Sequence, residues 1–394
     1  MTDVFYLAWR YLAYHRFKTV LLICTVMVIV YLPVGLQVIV DRSARDLTSR
    51  ADSTPLLVGE KGSPLELVLN SLYFESDMPP PVRFTEVTRV EESGLGRAIP
   101  LYVRFRAGPG RLVGTTLEYF EFRELEIAQG RPMAMLGECV LGAAAAARAG
   151  VGPGEYVTSS AEGVFNLAGV YPLRMKVAGV LRAAGTADDQ AVFVDVKTAW
   201  VIEGLAHGHQ DLSRAEAGPA VLRTEGDTII ANASVVEFNE ITAENVSSFH
   251  FHGDPAGFPV TAVIVVPNDQ KSRALLQGRY LGADERVQVV RPSEVMDDLL
   301  GTVFTVRGYV MVALAIVAAA TLATMTLVFA LSVQLRRREL ETMNRIGGTI
   351  ARIRGVVAVE IIGVLGVGVL LAAVASALTG WFATTLIHTF VVLW

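Results

Sequence analysis

The sequence predicts a helical membrane protein that carries one large α+β domain outside the membrane. Three apolar runs, Thr19–Val40, Gly308–Leu335 and Gly355–Trp394, each exceed the ~18 residues that suggest a spanning helix. Between the first two lies a long stretch of ordinary globular composition, enough for a sizeable core. Between the last two lies a short arginine-rich segment, and excess arginine in a short loop marks the cytoplasmic side. The 394-residue chain is 52% hydrophobic, too apolar for an ordinary soluble enzyme. A net charge of −5 argues against a nucleic-acid partner, and the basic clusters flank apolar runs, where topology explains them. Cys24 lies in an apolar run and Cys139 in the globular stretch, so no internal disulfide is expected.

Residues 1–18 read as a cytoplasmic, basic amphipathic helix, with Phe5, Trp9, Leu12 and Ala13 at helical spacing. The same charges would also serve simply to orient the first span. Residues 19–40 are span one, with Pro33 and Gly35 suggesting a kink near its outer end. The run is longer than a signal-peptide core of ~7–15 residues and no small-x-small cleavage site follows, so it reads as an uncleaved anchor. Positive charge before it places the N-terminus inside and residue 41 onward outside.

Residues 41–300 read as the outer α+β domain, with an inserted subdomain around 131–220. Strands are expected over Leu56–Gly59, Ala98–Phe105, Glu155–Thr158, Met175–Leu181, Ala191–Val196 and Val260–Val266. Helices are expected over Leu65–Tyr73 and Thr198–Leu205. The apolar run Cys139–Gly142 leads into an alanine-rich helix that stops at Gly150. Residues 307–335 are span two, running inward, and 336–354 the cytoplasmic connector. Residues 355–378 are span three, running outward, in which Gly363, Gly366 and Gly368 allow a neighbouring helix to approach closely. The apolar tail 379–394 either carries span three well outside or breaks at Gly380 and lies in the outer interface, and Trp381, Phe382 and Trp394 favour the break.

One span, a large outer domain and closely spaced C-terminal spans resemble the layout of MacB/FtsX-type ABC permeases. The connector, LRRRELETMNRIGGTIARIRGVVAVEIIG, is similar to the family's basic-acidic-glycine segment, with Glu339, Gly347, Gly348 and Glu360 at its recurring positions. ECVLGAAAAARAGVGPGEYV resembles the family's inserted subdomain. The family's fourth span has no counterpart here. The resemblance implies a dimer of permease copies on a separate cytoplasmic ATPase that binds the ATP and Mg. This chain has no G-x-x-x-x-G-K-[ST] of its own. It further implies an inner-membrane, multi-pass subunit working by mechanotransmission, with a periplasmic adaptor or substrate-binding protein as a further partner.

On this resemblance the connector is a coupling element. Arg336, Arg337 and Arg338 flank it, Met343 and Ile346 supply apolar contact, and Glu339, Gly347 and Gly348 complete it. An ordinary positive-inside loop would have the same composition. Glu360 reads as an interfacial carboxylate capped by Arg352 or Arg354. No serine or cysteine stands in a nucleophile motif, so the chain is not expected to be an enzyme by itself. Four histidines form two H-x-H pairs, His207/His209 and His250/His252. On extended backbone, i and i+2 share a face, so each pair can bite one metal, zinc or copper, with Asp254 or Glu203 completing the set. Packed loops with hydrogen-bonded histidines are the alternative. The corresponding alternative function is a membrane-anchored metal-binding or sensor protein without an ATPase.

Overall fold

A computed structural model of the chain describes residues 2–160, 172–208, 221–225, 228–231, 238–282, 285–346 and 348–392. It divides into two units, Met1–Ser49 with Asp297–Trp394, and Arg50–Met296. The chain opens with α1 (Thr2–Tyr14) and α2 (Arg16–Asp52). Pro33, the expected kink residue, lies inside α2 without ending it.

The second unit follows in the order β1 (Leu56–Glu60), α3 (Pro64–Tyr73), β2 (Val82–Arg83), α4 (Thr85–Glu92), β3 (Gly96–Ala107), β4 (Gly110–Thr115), α5 (Leu117–Phe122), β5 (Ile127–Gly130), β6 (Glu138–Leu141), α6 (Ala143–Ala149), β7 (Tyr156–Thr158) and β8 (Arg174–Leu181). It continues with β9 (Ala191–Asp195), α7 (Val196–Glu203), β10 (Ala206–Gly208), β11 (Val221–Glu225), β12 (Thr228–Ala231), β13 (Phe249–Phe251), β14 (Pro259–Val260), β15 (Ala262–Pro267), α8 (Gln270–Arg279) and β16 (Val287–Val290). The strands expected from the sequence are present. β4, β16 and α4 were not expected.

One mixed sheet organises the unit, in the order β16-β1-β15-β3-β4-β9-β6-β8-β5, with β7 also paired to β8. The parallel pairing of β4 with β9, from Arg111 opposite Ala191 to Thr115 opposite Asp195, carries the segment expected as an insertion into this same sheet. β3 lies near its centre. Both of its faces are covered, since Tyr102 and Val103, which point to opposite sides, are both fully buried. Tyr102 is admitted because its hydroxyl donates to Glu203. The poly-alanine helix α6 ends at Gly150, whose φ of 66° is the left-handed cap that glycine adopts without strain.

A buried ion pair closes this unit on the last turn of α2. Arg50 donates to Asp188 through Nη1 at 2.5 Å and Nη2 at 2.9 Å, and its Nε donates to the Leu72 carbonyl. Tyr119 donates its hydroxyl to Asp188 at 2.8 Å and receives a hydrogen bond from Arg50 at 2.7 Å. Burial alone would raise the Asp188 carboxyl, but Arg50, Tyr119 and Thr186 outweigh it and hold the group below its ordinary value. The contribution of Asp188 is therefore complete at neutral pH. It fades as pH falls from the ordinary carboxylate value through the lowered folded one.

The second-unit elements give way to α9 (Pro292–Leu335), α10 (Arg337–Arg345) and α11 (Ile350–Val392). Among the described residues, three helices are long and apolar enough to cross a membrane, over Arg16–Arg42, Pro292–Leu335 and Ile350–Phe382. They pack through Leu22, Val26, Met325 and Val364. Gly368 marks the closest approach of α11 to α2: a Cβ there would lie 2.6 Å from the Val26 Cβ. Gly363 leaves looser room beside Leu12 of α1, and Gly366 faces open space. Tyr31 and Thr379 share a hydroxyl hydrogen bond of 2.9 Å, and Arg307 pairs with Asp41 at 2.6 Å. The expected break at Gly380 does not occur. α11 runs through it because Gly380 packs beside Val38, where a small residue lets two helices meet. Trp381 and Phe382 stack on each other, exposed on the outside of this helix, while Trp394 lies outside the described residues.

Asp188→Asn leaves Arg50 buried without its counter-charge, which costs about 3–5 kcal/mol. Thermal unfolding of the purified full-length protein is expected to fall sharply at pH 7. The gap from wild type should narrow on acidification, as the native carboxylate also loses its charge.

Candidate functional site

Two constellations carry the residues that the sequence singles out. The first is the connector. α10 begins where α9 ends, after the single non-helical junction at Arg336, and none of its residues is fully buried. Helical spacing puts Arg336, Leu340 and Met343 on one half-buried side, and Arg337, Arg338, Glu341 and Arg345 outward. Arg337 pairs with Glu341 at 3.0 Å along the outer side. Glu339 is exposed, 3.6 Å from Arg336. Ile346, just past the helix, is 81% exposed.

Gly348 makes the return possible. Its N–H donates to the Met343 carbonyl at 3.0 Å, and a Cβ there would lie 2.7 Å from that same oxygen. Any other residue would push the two apart. Gly347 lies outside the described residues.

Arg336 does not flank a free docking face as expected. It turns inward and grips both oxygens of Glu360 through Nη1, at 3.1 and 2.9 Å. Its guanidinium carbon lies 3.4 Å above the centre of the Tyr11 ring. Glu360 is thus capped by Arg336 and not by Arg352 or Arg354. The physical reason is helical phase. Arg354 lies six residues before Glu360 on α11, on another face, and Arg352 lies about two turns away, whereas the end of α9 passes directly beside the carboxylate. Lys18 of α2 donates to Ser332 on the same stretch of α9. The cluster ties together the inner parts of α1, α9 and α11. Tyr11 was missed because nothing in its local sequence marks it; only the cross-helix packing does.

α1 packs on α11 through Val4 near Gly355 and Leu12 near Gly363, with Ala8 buried. Phe5 and Trp9 stay exposed, at 61% and 70%. The spacing that suggested one apolar face is therefore divided. Leu12 packs inward, and the two aromatics are left outward as interface residues are.

The second constellation is the histidine face. β10 pairs antiparallel with β13, with His207 directly opposite His250 and Ala206 opposite Phe251. His252 follows two residues later, and its N–H extends the ladder to the Leu205 carbonyl at 2.9 Å. The three ring centroids are 4.6 to 4.9 Å apart. The structure thus brings His207, His250 and His252 together, while His209 lies outside the described residues. Neither carboxylate joins them. Asp254 accepts from the Ala256 N–H at 3.0 Å, capping a short turn, and Glu203 accepts from Arg104 at 2.7 Å.

Comparison with known proteins follows from this geometry. The profile of the MacB-like periplasmic core domain matches residues 20–234, more than half of the chain. A search of curated proteins found no match. Among solved structures, the extracellular domain of the noncanonic ABC-type transporter YknZ from Gram-positive bacteria is similar at 13% identity and a TM-score of 0.33, covering 60% of this chain and 98% of that one. The periplasmic region of MacB from Actinobacillus actinomycetemcomitans is similar at 11% identity and a TM-score of 0.32, covering 66% of this chain and 97% of that one. The profile match, not these likenesses, carries the family assignment.

In a double-mutant cycle, Arg336→Ala and Glu360→Ala are expected to be less than additive by about 1–3 kcal/mol. The readout is thermal unfolding of the purified full-length protein. Strictly additive losses would mean that the two side chains do not meet.

Proposed function

The chain belongs to the family of proteins with a MacB-like periplasmic core domain, and from that membership we propose that it is the membrane subunit of an ABC transporter driven by a separate ATPase. The observation that carries the coupling role is Ile346. A large apolar residue held at 81% exposure at the end of an exposed, arginine-rich helix is the anchor a partner's groove would take up. Arg337, Arg338 and Arg345 surround it with charge that steers association and fixes register.

Work enters at α10 and travels along rigid elements. Gly348 holds a tight return, so a push on α10 is delivered to the start of α11 without being absorbed in a slack loop. The Arg336–Glu360 pair and the Tyr11 ring pass the same displacement to α9 and α1. α2 and α9 each continue as helix well beyond their apolar runs, and a continuous helix transmits motion along its axis with little compliance. The substrate is then handled on the outer side, by motion of the sheet domain. A permeation path through the bilayer would call for ionisable groups along the spans. Thr19–Val40 and Gly308–Leu335 contain no Asp, Glu, Lys, Arg or His, and Glu360 is already paired.

The N-terminus and connector face the cytoplasm of a bacterial inner membrane in this reading, and two copies assemble on the ATPase pair. The apolar side chains along α9, among them Val312, Ile316 and Leu327, are exposed and are covered by lipid or by the second copy. An adaptor or substrate-binding protein completes the outer assembly.

Ile346→Asp is expected to abolish co-purification with the cognate ATPase. Membrane insertion and thermal unfolding should remain unchanged, since the side chain is largely exposed. Retention of the ATPase by this variant and by Met343→Ser would overturn the assignment of α10 as the docking element.

A further inference from the structure

The histidine face has a geometry that the transport role does not use. The β10–β13 ladder is two-sided. On one side Phe251 packs edge-on to Trp200 at 6.4 Å and against Phe258 at 6.0 Å, and Ala206 is buried. The ring of Phe249 lies over Gly208, where a Cβ would approach it to 2.5 Å. That side anchors the ladder to the core and fixes its register. Strand alternation then sends His207, His250 and His252 to the other side together.

We propose that the imidazoles of His207, His250 and His252 form a binding site for one borderline divalent cation of the zinc or copper class. All three offer a ring nitrogen, and these nitrogens lie within 4.8 Å of one another. The His207 Nδ1 and His252 Nε2 are 3.3 Å apart. Two nitrogens bound at about 2.0–2.1 Å with tetrahedral angles are separated by roughly the same distance. His250 is also preset. Its Nδ1 lies 3.2 Å from the Ser248 carbonyl, which can only accept, so Nδ1 carries the proton and Nε2 is the basic nitrogen of the neutral ring. A backbone carbonyl that fixes the tautomer in this way is the usual outer partner of a metal-bound histidine.

The donor set chooses the class of ion. With Asp254 and Glu203 committed elsewhere, the cluster is all nitrogen. Imidazole suits zinc and copper, whereas calcium and magnesium need oxygen ligands. Three ligands leave a position open for water or a further donor. The cation would also clip β10 to β13, pinning the two ends of the intervening segment.

The site does not depend on the transport reading, and its test is separate. Purified full-length protein without a histidine tag is titrated with zinc chloride alone and followed by calorimetry. One saturable zinc per chain is expected. Outer partners of metal ligands are themselves worth roughly 10–100-fold in affinity, so His250→Ala or His252→Ala is expected to weaken binding by about 100-fold, and the triple alanine variant to bind none. All three side chains are at least partly exposed, and unchanged Trp200 fluorescence reports an intact ladder. Absence of saturable zinc binding by the wild type, or equal binding by a folded triple variant, would overturn the proposal.

Discussion

A charge in hydrocarbon must be paired or carried to water, and this constraint arranges the helical unit. Asp41 and Arg307 lie beyond the charge-free stretches of α2 and α9 and meet each other. The one carboxylate within α11, Glu360, is met from α9 by Arg336. Tyr11 then covers the guanidinium with an aromatic face, so even the paired cation is shielded. Without this pair, α9 and α11 would meet through apolar side chains such as Met325 and Val364 alone. Apolar side chains alone could slide past one another, because lipid is as good a solvent for them as a neighbouring helix.

The sheet domain answers the same electrostatic problem in a different solvent. Arg50 and Asp188 are buried among protein groups, far apart in the chain, and each is saturated by several hydrogen bonds. Burial opposes charge on Arg50, yet Tyr119 and Asp188 hold the guanidinium firmly protonated. Such a pair contributes less to net stability than its short distances suggest, since desolvating both ions offsets much of the attraction. Its value is in selectivity. The end of α2 is held in one arrangement against α3, α5 and the Asp188 turn, because any other would strand a buried charge.

Apolar run length and charge placement are local properties, which is why the three membrane-capable helices and most of the core strands were legible in the sequence. The poly-alanine helix and its Gly150 stop were legible for the same reason. What failed was long-range. β4 carries glycine at both Gly110 and Gly114, so no strand signal stood out; Gly114 is there because Ala199 of α7 packs against it. A break at Gly380 was expected from the aromatics of the apolar tail, but beside Val38 the glycine serves as a contact point and the helix continues. The partner of Glu360 was sought among nearby arginines, whereas helix geometry supplied one from before the connector. Of the residues expected to hold a metal, the structure brings His207, His250 and His252 together. The expected set was too generous with carboxylates, because competing partners for Asp254 and Glu203 cannot be read from spacing.

The connector and the histidine face illustrate two different ways in which a side chain comes to be exposed in a fixed position. Ile346 is 81% exposed at the end of α10, beside the close approach of Gly348 to the Met343 carbonyl. The histidines share the side of their ladder that faces away from Trp200 and Phe258, His250 and His252 exposed and His207 half-buried. There the ladder's anchoring fixes position, and alternation does the gathering. In both cases a rigid, fully satisfied inner face is what gives the outer face a defined geometry. Loosening the packing under Gly208 or the turn at Gly348 should therefore harm each site before any residue in it is changed.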